Sequence, residues 1–263
     1  MKQTQLAAGI LLTDVATGEA FPPALVLVHG AGGTHRHWPE ELRALPGRRV
    51  VSLDLPGHGG SASRGRPSVA GYARSVLEAL DELGVASAVM GGHSMGGAVA
   101  LSLALDAPGR VEGLVLVGTG ARLRVSPAAL EATADPGAAA TAAQVLAEVS
   151  FGAGAGEALR RELAEAYEAA APGLVHGDLL ACDAFDVMDR LGEIHVPTLV
   201  VCGAEDRMTP PKYARFLRDR VAGARLELVP GAGHMVMLER PAAVATAVGA
   251  FLDGLRDRRT RLG

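Results

Sequence analysis

One serine lies between two pairs of glycines in the stretch GGHSMGGAVAL, residues 91–101. An apolar run precedes this stretch and an alanine-rich run continues from it. Residues 92–96 therefore form a G-x-S-x-G motif at a predicted strand-to-helix junction. At such a junction a sharp turn strains the serine backbone and points its hydroxyl above the sheet. We predict Ser94 as a nucleophile, the alternative being an ordinary helix N-cap.

A serine hydroxyl needs a base, and the base needs a carboxylate that orients it. When the serine lies in this kind of turn, the acid and then the histidine follow it along the chain. Of eight histidines, only His234 lies beyond the last predicted strand, in the loop GAGHMVMLERP. We predict it as the base. GAEDRMTP follows the preceding strand and supplies Asp206 as the predicted acid, with Glu205 as the alternative.

A third element is needed to stabilise the negative charge that develops when the nucleophile attacks a carbonyl. The run LVLVHGAGG, residues 25–33, is a strand followed by a flexible glycine-rich turn. Backbone amides in such a turn can point at an oxyanion without obstruction by side chains. We predict that the N–H groups of Ala31 and Met95 form the oxyanion hole, and that His29 and Gly30 shape the loop.

The elements that must position these residues follow from hydrophobic patterning. Six short apolar runs each end in glycine, as strands that lead into tight turns do: 24–30, 49–57, 87–92, 111–118, 197–203 and 224–231. Helical periodicity occurs between and after them, at residues 72–83, 98–105 and 242–255. Residues 1–14 are predicted as a first strand and not as a signal peptide. This pattern predicts an α/β fold with a mostly parallel, doubly wound sheet of about eight strands.

The alternation of strands and helices is interrupted once, over residues 119–195, here called the inserted segment. It contains helical pieces joined by Gly and Pro and no strand-like run. We predict an α/β core formed by residues 1–118 and 196–263, with the inserted segment as a helical cap over the C-terminal ends of the strands, where open α/β sheets bind ligands. The alternative is a loose alanine-rich linker, but the amphipathic spacing of Leu159, Leu163 and Tyr167 argues against it.

Five motifs, in order, resemble those of the α/β-hydrolase superfamily: HGAGG, DLPGHGGS, GGHSMGG, GAEDRMTP and GAGHMVMLERP. The resemblance covers nearly the whole chain and least of all the inserted segment. It implies Ser94 as nucleophile, Asp206 as acid and His234 as base, the same three residues reached above.

The motif DLPGHGGS matches the family's loop after the second of the six strands, where Asp54, Gly57 and His58 are expected to form a structural turn. Trp38 is expected to pack beneath the neighbouring loop. In the inserted segment, scarce aromatics predict an apolar and mobile cap, with substrate range set by the side chains of Leu123, Leu146, Phe151 and Met188.

Serine at the turn separates this chain from the epoxide hydrolase and haloalkane dehalogenase branches, whose intermediates are esters of an enzyme carboxylate. An acyl-serine intermediate is therefore implied, and we expect a carboxylesterase acting on a small-molecule ester or related acyl substrate. Hydrolysis of a carbon–carbon bond in ring-cleavage products remains an alternative, as do lactonase, thioesterase and cofactor-free perhydrolase activities. A ligand-binding receptor that kept the hydrolase fold is the alternative from another functional class.

Several classes of partner are not expected. There is no HExxH, no G-x-G-x-x-G after a strand and no Walker lysine, so neither a metal nor an organic cofactor is predicted. A net charge of −4 argues against nucleic acid, and no apolar run approaches the ~18 residues of a membrane helix. Cys182 and Cys202 lack metal-ligand spacing and are expected to be buried thiols in a reducing cytoplasm. The oligomeric state is not predicted.

Overall fold

Runs of four to eight residues form the strands of one eight-stranded sheet. The structure, a computed structural model, describes residues 2–7, 9–16 and 21–262. The strands are β1 (Lys2–Gln5), β2 (Leu11–Ala16), β3 (Phe21–Val28), β4 (Arg48–Asp54), β5 (Ala88–His93), β6 (Val111–Val117), β7 (Thr198–Gly203) and β8 (Arg225–Val229). Their order across the sheet is β1-β2-β4-β3-β5-β6-β7-β8. The predicted fold class is confirmed.

Strands β3 to β8 are parallel to their neighbours, whereas β1 and β2 pair antiparallel with each other and β2 pairs antiparallel with β4. The N-terminal run predicted as one strand thus contains two. The chain reverses between them because Leu6 N–H donates to Ile10 O and Gly9 N–H donates to Leu6 O, at 2.8 and 2.9 Å.

Ten α-helices occur in the described residues. They are α1 (Glu40–Arg43), α2 (Val69–Glu82), α3 (Met95–Asp106), α4 (Pro127–Ala134), α5 (Ala139–Ser150), α6 (Glu157–Glu168), α7 (Leu174–Asp183), α8 (Pro211–Arg220), α9 (Val236–Glu239) and α10 (Pro241–Leu262). Alternate residues of β3 enter separate clusters: Val26 and Val28 belong to one that includes side chains of α2, α3 and α8, while Leu25 and Leu27 belong to one that includes side chains of α1 and α10. Helices therefore cover both faces of the sheet, and both faces of its central strands are apolar.

The inserted segment contains α4 to α7, and its described residues contribute no strand to the sheet. Its apolar side chains join both clusters: Leu123 and Cys182 lie in one, and Phe151 and Leu163 lie in the other. This segment is therefore packed onto the sheet layer, and full burial of a Leu or Phe side chain contributes about 1.5–3 kcal/mol to that packing. No helix within residues 2–7, 9–16 and 21–262 is both long and apolar enough to cross a membrane.

Candidate active site

Ser94 occupies a tight turn between β5 and α3. Its φ of 52° makes it the one non-glycine residue with positive φ in the described part of the chain. A Cβ at position 92 would overlap the backbone of Gly96, and a Cβ at position 96 would overlap the carbonyl group of Val28. Glycine at both positions therefore lets strand and helix approach closely enough to form the turn. This close packing holds the serine in a strained backbone conformation, which costs about 1–3 kcal/mol.

His234 lies in the loop after β8 and contacts Asp206 in the loop after β7. Its Nδ1 is 3.0 Å from Asp206 Oδ2. Asp206 Oδ1 accepts the N–H groups of Met208 and Thr209, both at 2.9 Å, and Oδ2 accepts the Thr209 hydroxyl at 2.9 Å. Burial alone would raise the pKa of Asp206, but the charge of His234 and these donors lower it below its usual value. Asp206 therefore stays ionised and directs Nε2 of His234 away from itself.

The alternative acid, Glu205, points elsewhere. Its Oε2 accepts a hydrogen bond from Ala153 N–H at 2.8 Å, in the joint between α5 and α6. The structure thus brings Asp206, and not Glu205, beside the histidine. The glutamate instead joins the loop after β7 to the inserted segment.

Two residues that sequence reasoning missed hold the His234 loop. His93 Nε2 lies 3.1 Å from the backbone oxygen of His234, and burial together with the charge of His234 lowers the pKa of His93 well below its usual value. The neutral ring therefore donates this hydrogen bond. Glu239 accepts the N–H groups of Gly233 and Gly152, at 2.7 and 2.9 Å. Burial raises the pKa of this glutamate. Only its position next to Ser94 could have drawn attention to His93.

The predicted oxyanion donors remain available. Neither Ala31 N–H nor Met95 N–H donates a hydrogen bond within the described residues. A Cβ at position 30 would lie 3.1 Å from Ser94 Cβ, so the loop after β3 passes directly beside the serine. His29 shapes this loop, as predicted: its Nε2 accepts Leu55 N–H at 3.0 Å, so its Nδ1–H donates to Gly30 O at 2.8 Å. Burial lowers the pKa of His29 well below its usual value.

Ser94 and His234 line one cavity of about 70 Å³. Within the described residues Ser94 Oγ makes no hydrogen bond to another protein group. Catalytic hydrogen bonds are often long before substrate binds. The inserted segment contributes eight lining residues: Leu123, Arg124, Val125, Leu146, Tyr167, Val175, Leu179 and Cys182. A second cavity of about 200 Å³ shares Leu146, Tyr167 and Val175 with the first.

Two predicted specificity residues do not line the cavity. Phe151 has no exposed surface and packs in the core between the inserted segment and the sheet layer. Met188 is 36% exposed and lies in a surface groove with Lys212 and Phe216. The structure therefore gives these two side chains no direct contact with the cavity, and their effect on substrate range stays a prediction. Leu123 and Leu146 do line the cavity, as predicted.

The DLPGHGGS loop forms the expected turn. Asp54 accepts the backbone N–H groups of His35 and Gly60, at 2.7 and 2.9 Å. Trp38 packs in the core with 1% of its surface exposed. His58, however, reaches beyond the turn to Asp178 of α7, and its Nε2 lies 2.7 Å from Oδ2. The sequence held no signal for this contact, which spans 120 positions.

A family model for the alpha/beta hydrolase fold matches residues 23–241. A solved structure of a thermophilic esterase superposes with a TM-score of 0.81 at 34% sequence identity, and the match covers 97% of each chain.

Two curated relatives are similar over most of this chain. The dihydrolipoyllysine-residue acetyltransferase component of an acetoin cleaving system from Pseudomonas putida is 36% identical, over 89% of this chain and 64% of that protein. The chain thus spans less than two thirds of that relative's length. A pimeloyl-[acyl-carrier protein] methyl ester esterase from Aromatoleum aromaticum is 31% identical, over 88% of this chain and 99% of that protein.

Proposed function

Because this chain belongs to the alpha/beta hydrolase family, we propose that it is a serine hydrolase that cleaves carboxylic esters through an acyl enzyme on Ser94. One observation carries the proposal. Ser94, in its strained turn, lines the same cavity as His234, and Nδ1 of His234 lies 3.0 Å from Asp206 Oδ2. Similarity to proteins named as esterases supports an ester as the substrate.

The proposed reaction assigns one task to each residue. His234 Nε2 takes the hydroxyl proton as Ser94 Oγ attacks the ester carbonyl, because Nδ1 faces Asp206. The N–H groups of Ala31 and Met95 donate to the oxyanion. His234 then gives its proton to the leaving alcohol, and the acyl group stays on the serine. A water that loses its proton to the same nitrogen hydrolyses this intermediate and releases the carboxylic acid.

We further propose that the inserted segment is a cap that selects the acyl group. It contributes eight of the residues that line the cavity with Ser94. A volume of about 70 Å³ is smaller than the ~150 Å³ apolar cavity that holds benzene. The site therefore has room, without rearrangement, only for an acyl group smaller than a benzene ring. A longer one extends past Leu146 and Tyr167 into the second cavity.

The test is a panel of p-nitrophenyl esters, lactones, thioesters and a vinylogous diketone, given to the wild type and to Ser94→Ala. We expect ester turnover that Ser94→Ala abolishes, together with labelling of the wild type by a fluorophosphonate probe. Faster turnover of a lactone, a thioester or the diketone would reassign the reaction at the same site. A serine that neither turns over esters nor labels would contradict the proposal and favour a binding protein.

A further inference from the structure

A buried carboxylate connects α7 of the inserted segment to the loop that carries Ala31. Asp178 has no exposed surface. Its Oδ2 accepts Gly32 N–H at 2.8 Å and lies 2.7 Å from His58 Nε2, and its Oδ1 accepts the Tyr72 hydroxyl at 2.6 Å. The three partners come from the loop after β3, the loop after β4 and helix α2. One side chain of the inserted segment therefore joins three separate parts of the sheet layer.

The contact with His58 is an ion pair. His58 Nδ1 lies 3.0 Å from Pro56 O and Nε2 lies 2.7 Å from the Asp178 carboxylate, so both ring nitrogens face acceptors. Both must carry a proton, which makes the ring a cation. Burial alone would lower the pKa of His58, but the hydrogen bond and charge of Asp178 raise it above its usual value. Separating this pair would leave two buried charges without partners. Because that separation is strongly unfavourable, the two side chains stay together and the geometry of the cluster is fixed.

The inserted segment also holds the backbone of the same loop by packing. A Cβ at Gly32 would lie 2.8 Å from the Tyr167 ring and 3.0 Å from Val175 Cγ2. The loop is thus in contact with α6 and α7 at the residue that follows Ala31. The Ala31–Gly32 peptide, whose N–H donates to Asp178, is the direct neighbour of the peptide that carries the proposed oxyanion donor, Ala31 N–H.

We infer that Asp178 is a positioning residue for the oxyanion hole, which is complete only while α7 is docked on the loop after β3. This inference rests on the proposed ester hydrolysis at Ser94. His58 and Tyr72 anchor α7 to the sheet layer through the same carboxylate. The bond to Gly32 adds a direct restraint on the loop, so opening of the inserted segment releases both the substrate and the donor that stabilises its transition state.

The main test compares Asp178→Ala with Asp178→Asn and with Tyr72→Phe. Asp178→Ala removes the acceptor for Gly32, whereas asparagine keeps one oxygen that can accept this bond. Tyr72→Phe is the matched control, because it removes a hydrogen bond from the same carboxylate and leaves the loop contact in place. For each variant we measure kcat and KM for a short ester, the inhibition constant of a trifluoromethyl ketone, and the melting temperature.

For Asp178→Ala we expect kcat to fall about 30-fold and the inhibition constant of the ketone to rise by a similar factor, with KM changed less than about threefold. Complete loss of one oxyanion donor lowers kcat roughly 10²- to 10³-fold. The expected effect is smaller because the donor is displaced and not removed. Asp178→Asn should recover most of the loss, and Tyr72→Phe should lower only the melting temperature. A lower melting temperature with kcat and ketone binding unchanged in Asp178→Ala would overturn the inference.

If Asp178→Ala does not fold, amide hydrogen exchange on the wild type decides. Gly32 N–H and the amides of α7 should then exchange with the same opening free energy, because one event exposes both. Protection of Gly32 that persists after α7 has exchanged would overturn the inference. Loss of esterase activity in Ser94→Ala tests the proposed function separately, and the exchange experiment does not depend on that result.

Discussion

His93 donates a hydrogen bond from Nε2 to the backbone oxygen of His234, at 3.1 Å, and the two ring centroids are 4.7 Å apart. The residue that precedes the nucleophile therefore supports the residue that serves as its proposed base. These two segments are 141 positions apart in sequence. The loop after β8 and the turn after β5 are thus held at a set distance by a side chain that takes no part in the proposed chemistry.

We predict that His93→Phe lowers kcat for ester hydrolysis about tenfold, because the loop of His234 loses its anchor while the ring volume is kept. The unfolding free energy should fall by about 1–3 kcal/mol, since the carbonyl of His234 is left without a donor. Steady-state kinetics and denaturant unfolding check both effects. The exposed His195, changed to Phe, is the control. A kcat equal to that of the wild type would show that His93 does not position the base.

Asp206→Asn should lower kcat by about 10³- to 10⁴-fold, because an amide no longer holds His234 in the reactive tautomer. Glu205→Gln should lower kcat less than about threefold, because Glu205 contacts Ala153 and not the histidine. The two variants carry the same change of charge at neighbouring positions, so each controls for the other. If Glu205→Gln proves the more damaging, the acid has been assigned to the wrong residue.

The ion pair of His58 and Asp178 should make stability depend on pH. The pKa of His58 is raised in the folded state, so its contribution is complete below the unfolded value of about 6.5 and is lost as pH rises through the higher folded value. We predict that the difference in unfolding free energy between wild type and His58→Gln shrinks as pH rises above 6.5. Urea unfolding from pH 5.5 to 9 measures it, with His195→Gln as the matched control. A difference that grows with pH has the wrong sign for this pair.

Leu146 lies in both cavities, so its removal should join them. We predict that Leu146→Ala shifts the preferred p-nitrophenyl ester towards longer acyl chains by two or more carbons, and that it lowers the unfolding free energy by about 2–5 kcal/mol. Val145→Ala is the control, because this neighbour on α5 is 55% exposed. The ratio of kcat/KM for hexanoate and acetate esters is the measurement. An unchanged ratio would mean that acyl groups do not extend past Leu146.

Much of the fold could be predicted because the signals are local. Each of the six apolar runs that ends in glycine overlaps a strand of the sheet. Gly92 and Gly96 mark a turn in which neither of these two positions has room for a side chain. The N-terminal run was harder to interpret, since two short antiparallel strands and their turn have the same composition as one longer strand. Phe151 and Met188 do not line the cavity, because the types of residues in a segment do not show which neighbour each side chain faces.

The sequence by itself determined the order of the elements and the place of Ser94 between a strand and a helix, because neighbouring residues set both through backbone sterics and hydrophobic periodicity. Only the tertiary structure decided that Asp206 and not Glu205 faces His234, and that Asp178 joins His58 to the loop of Ala31. Adjacent carboxylates point in different directions according to how their loop is folded. A buried pair separated by 120 positions forms only when the helices of the inserted segment dock on the sheet layer.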